Sequence, residues 1–519
     1  MTSFHRSLIA VATTSAFAVP AAIAQTFLPG NLIVSRTVYE GTASTVAVGQ
    51  VLSGGKKATN DGTFPNVFKN EVPDPSFGVS SPIYLDQLTK AGTWISTLAV
   101  DSGLVTSSFA SKSELALNLS TDGTAITFMG YKAPKNALDV SNSNTAAVFD
   151  STNPVTSTVQ RAVVQVNLNS GSVQVTGVDA YSGNNGRAAV LANGSYYMVG
   201  NAGNGSGNGT SLSQLSDNTG VQRIAVGSSG ATTAVGVALG TFGQSNGYQR
   251  GFSLAQLPDP AKPGQNYAAD KTGKDDNFRG MTVFNNTLYV TKGSGSNGVN
   301  TVYQVGAAGA LANNGTIANA AITILPGFNT LSEKVAEAPA TLTPTPHPFG
   351  MWFANADTLF VADEGDGVRL GVAGKVTTFA GLGEYKLVAG SWTEVANFQH
   401  GLLDQAVYAD GLPWNVATDG LRNISGQTNT DGSFTIFGTT STVSNELTHD
   451  LGADPNELVS ITIGAGSNNL NTSFSVLETA GYGERFGGVA LAPVPEPENY
   501  ALMLAGLAVV GAVARRRLA

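Results

Sequence analysis

Short runs of alternating apolar and polar residues recur along the middle of the chain, and each run ends at a turn signal. Segments 278–293 and 348–365 share the order Gly-Met, two β-forming residues, an asparagine-containing turn and then Thr-Leu-aromatic-Val. Segment 186–203 repeats this order, and segment 114–130 is a fourth copy with an Asp-Gly turn. A period of two interrupted by a tight turn is typical of antiparallel hairpins. Each copy therefore predicts two strands.

Two further strands follow most copies. Segment 161–177 is an example, because its two apolar runs are joined by Asn169, Ser170 and Gly171. Four antiparallel strands per repeat, at irregular intervals, are typical of the blades of a β-propeller. Solenoid repeats are shorter and more regular, so a solenoid fits this chain less well.

The two ends of the folded region supply complementary parts of one more blade. Segment 485–493 predicts a first strand with no second strand after it, whereas segment 30–41 predicts a second strand that 81–89 and 93–100 continue. Pairing these ends would close the ring and remove its open edges. The sequence predicts an all-β propeller of six four-stranded blades. Seven blades is the alternative, because segment 241–278 is broken by Gly and Pro and has no assigned element.

Two short motifs carry a resemblance to known propellers. LYVTKG at 288–293 and LFVADEGDGVRL at 359–370 resemble the strand-and-turn signature of NHL-type and YVTN-like six-bladed propellers. The resemblance implies an architecture and no particular reaction, since one fold hosts many functions.

The N-terminal residues have the pattern of a secretory signal. Arg6 precedes an apolar stretch from Leu8 to Val19. Small residues follow, and Ala22 and Ala24 form an A-x-A cleavage site that would leave Gln25 as the new N-terminus. The structural alternative is an N-terminal helix of the folded domain. We predict a signal peptide over 1–24, removed by signal peptidase.

The C-terminal segment predicts a membrane-spanning helix. It has three parts in this order: Pro495, Glu496 and Pro497; the apolar run Tyr500–Ala514; and Arg515, Arg516 and Arg517. At ~1.5 Å per residue the run is roughly 22 Å long, against ~30 Å of hydrocarbon, so spanning requires snorkelling arginines and a thinner bilayer. The arginine cluster is expected to stay in the cytoplasm.

These three parts together resemble a PEP-CTERM sorting signal. The resemblance implies an exported bacterial protein that a membrane exosortase recognises and processes near Pro-Glu-Pro. The predicted organisation is a signal peptide over 1–24, a propeller over 25–494 and a sorting signal over 495–519.

Composition agrees with this reading and excludes several kinds of site. Glycine accounts for 62 of 519 residues and charged residues for 12%, which fits many short strands joined by turns. The chain has no cysteine, which excludes disulfides, thiolate metal sites and a cysteine nucleophile. Without Arg6 and the three C-terminal arginines, 27 − 4 = 23 basic residues face 36 acidic ones, a net charge of −13. An acidic chain without a basic stripe predicts no binding of nucleic acid.

The propeller architecture itself suggests one candidate ligand site. The first strand of each blade lines the central channel, so residues just before these strands ring its mouth. Arg187 and Arg279 are in equivalent register there, Arg485 is one place earlier and His347 is two places earlier. Such a ring would attract a carboxylate or sulfate, as on an acidic exopolysaccharide. The alternative is that each arginine binds neighbouring carbonyls or acids and joins adjacent blades.

Other candidates for metal or sugar binding stand on single turns or strands. Asp363, Glu364 and Asp366 could gather around Ca²⁺, or they could be solvated or paired with Arg369. His347, His400 and His449 have no zinc-binding spacing, so no other cofactor is predicted. Among aromatic residues, Trp414 lies in a loop and is the candidate sugar contact, whereas Trp94 and Trp352 lie in predicted strands and are expected in the core.

The leading hypothesis is a surface- or matrix-associated β-propeller that is not catalytic. It would act as a binding or structural protein of the bacterial envelope or exopolysaccharide matrix, as exosortase substrates in biofilm-forming hosts do. The rival is an exported propeller hydrolase or lyase that acts on a polysaccharide or a lactone, with a metal in the central tunnel. A scaffold for envelope proteins is a third possibility.

Overall fold

Six antiparallel sheets follow one another around a central axis in the computed structural model. The structure describes residues 26–39, 79–109, 111, 114–137, 140–150, 157–203, 215–240, 248–313, 315–336, 343–367, 379–408, 415–443, 454–466 and 469–494. The predicted signal peptide and the apolar run 500–514 lie outside these ranges. Within the ranges, no helix is both long enough and apolar enough to span a membrane.

The first half of the chain supplies three of the six blades. Its strands, in chain order, are β1 (Leu32–Val38), β2 (Ser80–Ser81), β3 (Ile83–Leu88), β4 (Trp94–Ala99), β5 (Ser107–Ser108), β6 (Asn118–Leu119), β7 (Ala125–Tyr131), β8 (Arg161–Asn167), β9 (Val173–Val178), β10 (Gly186–Ala192), β11 (Ser195–Gly200), β12 (Gly220–Ala225), β13 (Thr233–Ala234), β14 (Ala238–Leu239) and β15 (Gln249–Arg250). Strands β6 to β9 form blade two and β10 to β13 form blade three.

The second half supplies the remaining blades and the closing strand. Its strands are β16 (Met281–Phe284), β17 (Thr287–Lys292), β18 (Thr301–Val305), β19 (Ile322–Ile324), β20 (Pro348–Asn355), β21 (Thr358–Asp363), β22 (Gly381–Val388), β23 (Ser391–Phe398), β24 (Ala406–Val407), β25 (Val416–Thr428), β26 (Phe434–Val443), β27 (Glu457–Ile463), β28 (Ser475–Thr479) and β29 (Glu484–Leu491). Blade four is β16 to β19, blade five is β20 to β23 and blade six is β24 to β28.

Helical structure is a minor component of the described chain. It includes one α-helical turn, α1 (Glu333–Ala336), and the 3₁₀ turns Val140–Asn142, Leu254–Gln256 and Ile317–Asn319. The paired strands β2 and β5 and the paired strands β14 and β15 form two small separate ribbons.

Blade one is built from both ends of the folded chain, in the order β29-β1-β3-β4. Strands β1 and β29 pair antiparallel from Leu32 opposite Leu491 to Val38 opposite Glu484. The pairing continues beyond β29, where the amide of Ala492 donates to the carbonyl of Asn31 at 2.9 Å. The predicted closure of the ring by its two ends is confirmed.

The number of blades is six, as predicted, and two details differ from expectation. Blade six has an additional two-residue strand, β24, beside β25. Residues 248–278, the described part of the unassigned segment, contain only the second strand of a small ribbon and a 3₁₀ turn instead of a further blade. Their apolar side chains Phe252, Leu254 and Tyr267 pack into the core of blades three and four.

Apolar side chains pack between neighbouring blades. Between blades four and five, Phe284 stacks on Phe353 with ring centroids 4.7 Å apart. Within blade five, Trp392 meets the same ring edge-on at 5.9 Å. Trp352 packs against Phe360, as predicted for a core residue. The same prediction is wrong for Trp94, which is 61% exposed because it begins β4, the outermost strand of blade one.

The innermost strands approach one another closely around the axis. They are β29, β6, β10, β16, β20 and β25, one from each blade in ring order. A Cβ on Gly350 of β20 would lie 2.7 Å from the carbonyl oxygen of Arg422 in β25. The sequence repeat Gly-Met thus marks places where the backbone of the next inner strand leaves no room for a side chain.

Candidate functional site

We call the face at which the inner strands begin the mouth. Two of the predicted arginines lie there fully enclosed: Arg187 is 5% exposed and Arg485 is 1% exposed. Arg187 connects blades three and four, because its Nη1 donates to Asn277 Oδ1 and to the carbonyl of Phe278 at 3.3 Å. Arg279, which is partly exposed, donates to Ser294 Oγ in the next hairpin. Arg187 thus joins two blades, and whether the predicted ring binds an anion stays a prediction.

Arg485 is the arginine at the point of ring closure. Its Nε donates to the carbonyl of Phe109 at 3.3 Å, while Nη1 and Nη2 have no hydrogen-bond partner among the residues that the structure describes. Burial lowers the pKa of Arg485 to about 9, with a smaller lowering from the charge of Arg422 and an opposing contribution from Glu114.

Glu114 supplies the opposite charge at the closure. Its carboxylate accepts hydrogen bonds from the amide of Ser108 at 3.0 Å, from Asn185 Nδ2 at 2.9 Å and from the hydroxyl of Tyr131. Burial raises the pKa of Glu114 to about 7, although the hydrogen bonds from Tyr131 and Ser108 oppose this shift. Glu114 is therefore a buried group that changes charge near neutral pH.

Glu114→Gln is expected to weaken the pH dependence of stability. The folded-state pKa is about 7, whereas an unfolded glutamate titrates at about 4.3. The contribution of this group is therefore fully present below about pH 4 and is lost as the pH rises through about 7. The substitution removes that loss, which amounts to up to about 3 kcal/mol.

Urea unfolding of both proteins between about pH 4.5 and about pH 8 measures this difference. Asp357→Asn, which replaces an exposed turn carboxylate in blade five, serves as the control and should follow the wild type. Equal pH slopes for wild type and Glu114→Gln would show that Glu114 is ionised to the same degree in both states.

A buried ion pair joins blades five and six. Nε of Arg422 lies 3.1 Å from Oε2 of Glu364, and both side chains are less than a tenth exposed. The carbonyl of Glu364 also accepts a hydrogen bond from Ser441 Oγ at 2.5 Å. Arg422 therefore anchors Glu364, one of the three acids that the sequence grouped around Ca²⁺.

The other two acids of that group differ in their surroundings. Asp363 accepts hydrogen bonds from the amides of His347 at 2.5 Å and Gly365 at 2.9 Å, one at each of its oxygens. Burial is the main cause that raises the pKa of Asp419, and the charges of Asp366 and Glu364 raise it further. Asp366 therefore lies near Asp419. Across the described ranges, no three His, Cys, Asp or Glu side chains form a group that could hold a metal ion. Calcium binding stays a prediction.

Several predicted positions fall where no structure is described. Trp414, His449 and the proposed partner Arg369 lie outside the described residues. His347 lies at the mouth, but its contact with Asp363 is made by its backbone amide. The processing residues Ala22, Ala24 and Gln25, and those from Pro495 to Arg517, also lie outside the described ranges.

Sequence reasoning missed Glu114, Asn185 and Arg422 as residues of the mouth. Glu114, Asn185 and Asn277 each stand eight residues before the first residue of their hairpin turns, at 122, 193 and 285. The positions two residues before Arg187 and Arg279 would have identified Asn185 and Asn277, and the equivalent position in segment 114–130 would have identified Glu114. Arg422 had no such signal, because its strand lacks the Gly-Met order.

A cavity of about 610 Å³ lies between blades four and five, and we call it the blade 4/5 cleft. Its walls are aromatic and proline side chains, including Phe328, Tyr385 and Trp392. The rings of Phe328 and Tyr385 stack with centroids 4.5 Å apart. Asp363 and Glu394 are its charged groups, and the described lining residues include no Lys, Arg or His.

Comparison with known proteins identifies the C-terminal segment. Residues 493–517 match the PEP-CTERM protein-sorting motif. The chain therefore has the signal of an exported, envelope-directed protein that undergoes exosortase-mediated processing. The full sequence matches none of the curated proteins.

Solved structures give only distant similarities. The soluble aldose sugar dehydrogenase of Escherichia coli is 13% identical, with a TM-score of 0.32, over 73% of this chain and 93% of its own. The polysaccharide lyase Uly1 is 10% identical, with a TM-score of 0.32, over 70% and 71%. AztD of Citrobacter koseri is 9% identical, with a TM-score of 0.28, over 80% and 96%. The assignment of a propeller rests on the strand pairing described above.

Proposed function

We propose that this protein is a binding propeller of the bacterial envelope or extracellular matrix, and that it is not an enzyme. Exosortase delivers it to that location through the sorting motif. Its ligands are exopolysaccharide or other envelope proteins.

The observation that carries the proposal is where the sorting motif leaves the fold. Arg485 lies at the beginning of β29, at the mouth, whereas the motif begins at 493, just after the end of the same strand. Val494 is 64% exposed at that end. A membrane or cell wall that holds the tail would therefore lie on the face opposite the mouth. The mouth would then point away from the cell.

The buried charges at the mouth support a binding role over a catalytic one. Contacts between neighbouring blades use the side chains of Arg187, Arg422 and Glu364. These groups therefore stabilise the fold. A catalytic carboxylate must reach a substrate proton at hydrogen-bond distance. Asp363 is 5% exposed and is held by two backbone amides, so little of its carboxylate can be reached from outside the fold.

The rival function is a propeller hydrolase or lyase with a metal in the tunnel. Metal analysis of the purified, exported protein, run beside a panel of polysaccharide and lactone substrates, tests it. We expect no stoichiometric metal and no turnover. Stoichiometric Ca²⁺ or Zn²⁺ together with turnover would overturn the non-catalytic proposal.

Removal of the sorting motif is expected to release the propeller from the cell. A chain that ends at residue 494 keeps β29 and the pairing of Ala492 with Asn31. We therefore expect it to fold and be exported, but to accumulate in the medium. Cell fractionation with immunoblotting measures the shift from the envelope or matrix to the medium.

The triple replacement of Pro495, Glu496 and Pro497 by alanine makes the same test without shortening the chain. Asp357→Asn again serves as the control and should distribute like the wild type. Retention of the truncated and triple-substituted chains in the envelope would contradict the proposed route.

A further inference from the structure

We propose that the blade 4/5 cleft binds a glycan that carries free amino groups. This inference rests on the proposed binding function and names the class of ligand. It follows from four properties of the cleft: its size, its aromatic wall, its polar rim and the sign of its charge.

The size of the cleft fits a short stretch of a glycan. Small-ligand sites have volumes of roughly 300 to 1,000 Å³, and this cavity has about 610 Å³. It is a groove between two blades and not a flat surface, so a folded protein domain could not fill it. An extended chain of sugar rings could lie along it.

The wall of the cleft is formed by one face of the outer hairpin of blade five. Tyr385 of β22 stands directly opposite Glu394 of β23. Trp392 is two residues before Glu394 and so lies on the same face. A Cβ on Gly383 would lie 2.8 Å from Cε2 of Tyr385 and 3.4 Å from Oε1 of Glu394. The missing side chain at Gly383 thus lets the ring of Tyr385 lie against the backbone of β22, beside the carboxylate of Glu394.

The polar groups of this wall are available to a ligand. Neither the hydroxyl of Tyr385 nor Nε1 of Trp392 has a hydrogen-bond partner within the part of the chain that the structure describes. Thr393 and Glu394 are exposed at the rim. Because Phe328 covers one face of the Tyr385 ring, the wall offers ring edges for sugar C–H groups and polar tips that can hydrogen-bond sugar hydroxyls. Sugars present both kinds of group.

Charge selects among glycans. Both charged residues of the cleft, Asp363 and Glu394, are acidic. The backbone amides of His347 and Gly365 already occupy the oxygens of Asp363, whereas Glu394 has no such hydrogen bond among the described contacts. Burial and the charge of Asp363 both raise the pKa of Glu394. A cation opposite Glu394 would relieve this repulsion, and a uronate or sulfate would increase it.

The test measures binding by calorimetry to the full chain as it is purified after export. The probes are a glucosamine hexamer, its neutral counterpart cellohexaose, an oligoglucuronate of the same length and a lysine-bearing peptide of equal charge. The buffer is kept close to neutral pH, because a more acidic buffer would favour neutral Glu394, whose pKa is raised, and a more basic one would deprotonate the amines. We expect the glucosamine hexamer to bind most tightly and the oligoglucuronate not to bind in the cleft.

Two substitutions locate the binding site. Glu394→Gln keeps the shape and removes the charge, so it should weaken binding of the glucosamine hexamer about tenfold and leave cellohexaose unchanged. Tyr385→Leu removes the ring of a partly exposed residue and should weaken both sugars. Asp357→Asn, in the same blade but outside the cleft, should bind like the wild type.

Several results would overturn the inference. They are no binding of the glucosamine hexamer, equal binding of the lysine peptide, or no effect of Glu394→Gln. Oligoglucuronate binding that Arg279→Ala abolishes and Glu394→Gln spares would place the glycan at the mouth instead. An envelope-located protein that fails these binding tests would refute this inference alone, because the fractionation experiment tests the proposed function separately.

Discussion

Gly280→Ala is expected to destabilise the propeller by about 3 kcal/mol, because it forces a side chain between two inner strands. The added Cβ would overlap the carbonyl oxygen of Phe349 in β20 and would lie 2.9 Å from Oγ1 of Thr291. A backbone carbonyl cannot rotate away as a flexible side chain can. Blades four and five would have to separate at the axis. Gly280 does not have a positive φ, so backbone strain adds nothing to the effect.

Denaturant unfolding monitored by tryptophan fluorescence gives the change in the free energy of unfolding. Gly315→Ala is the matched control, since its Cβ would meet only Asn313 Oδ1 at 3.6 Å, an ordinary contact distance. That control should stay within about 0.5 kcal/mol of the wild type. If both variants unfold at the same denaturant concentration, the inner strands are not packed as closely as the structure indicates.

The strands could be predicted because their signals are local, and the closure could be predicted because the two ends of the chain supply complementary parts of one blade. Asn193 and Gly194 have positive φ angles of 47° and 70°, as a tight hairpin turn requires. The same holds for Asn285 and Asn286, at 46° and 53°. Each turn fixes the register of its hairpin, so the repeat in the sequence became a repeat in the structure. Segment 485–493 could be assigned as the closing strand because no second strand follows it before the sorting signal.

The blade 4/5 cleft could not be predicted from the sequence. Its lining comes from the loop after β19, from residues 343–348 and from the hairpin of β22 and β23. These segments meet only when two blades pack, and no short-range pattern encodes the packing of one blade on the next. Trp94 failed as a core prediction for a related reason. Alternation places a residue on one face of a strand but does not tell whether that strand is the outermost of its blade.

The mouth illustrates what register can and cannot show. The repeats correctly placed Arg187 and Arg485 at the beginning of inner strands. Their exposure of 5% and 1% depends on neighbouring blades, which register does not describe. Enclosed guanidiniums are out of reach of a polymer, so any polysaccharide at the mouth would meet Arg279 first. For this reason we assign the glycan to the cleft.

Arg422→Met is expected to cost about 3 to 5 kcal/mol of stability, because it removes the cation that lies beside the buried carboxylate of Glu364. The pair is 3.1 Å apart and spans blades five and six, with side-chain exposures of 3% and 9%. Thermal and denaturant unfolding measure the loss. Lys262→Met is the control, since Lys262 is 61% exposed and its pair with Asp259 should contribute less than about 1 kcal/mol.

The double variant Arg422→Met, Glu364→Gln separates the ion pair from the packing of the arginine side chain. If an unpaired buried charge causes the loss, neutralising Glu364 should recover a large part of it, as happens when both partners of a buried pair are replaced. Arg422 lies at the axis, where its backbone carbonyl is close to Gly350. If its side chain stabilises the fold mainly by packing there, the double variant should be as unstable as the single one. Recovery would mean that blade six is held to blade five by charge, and that Glu364 is committed to the fold instead of to a metal ion.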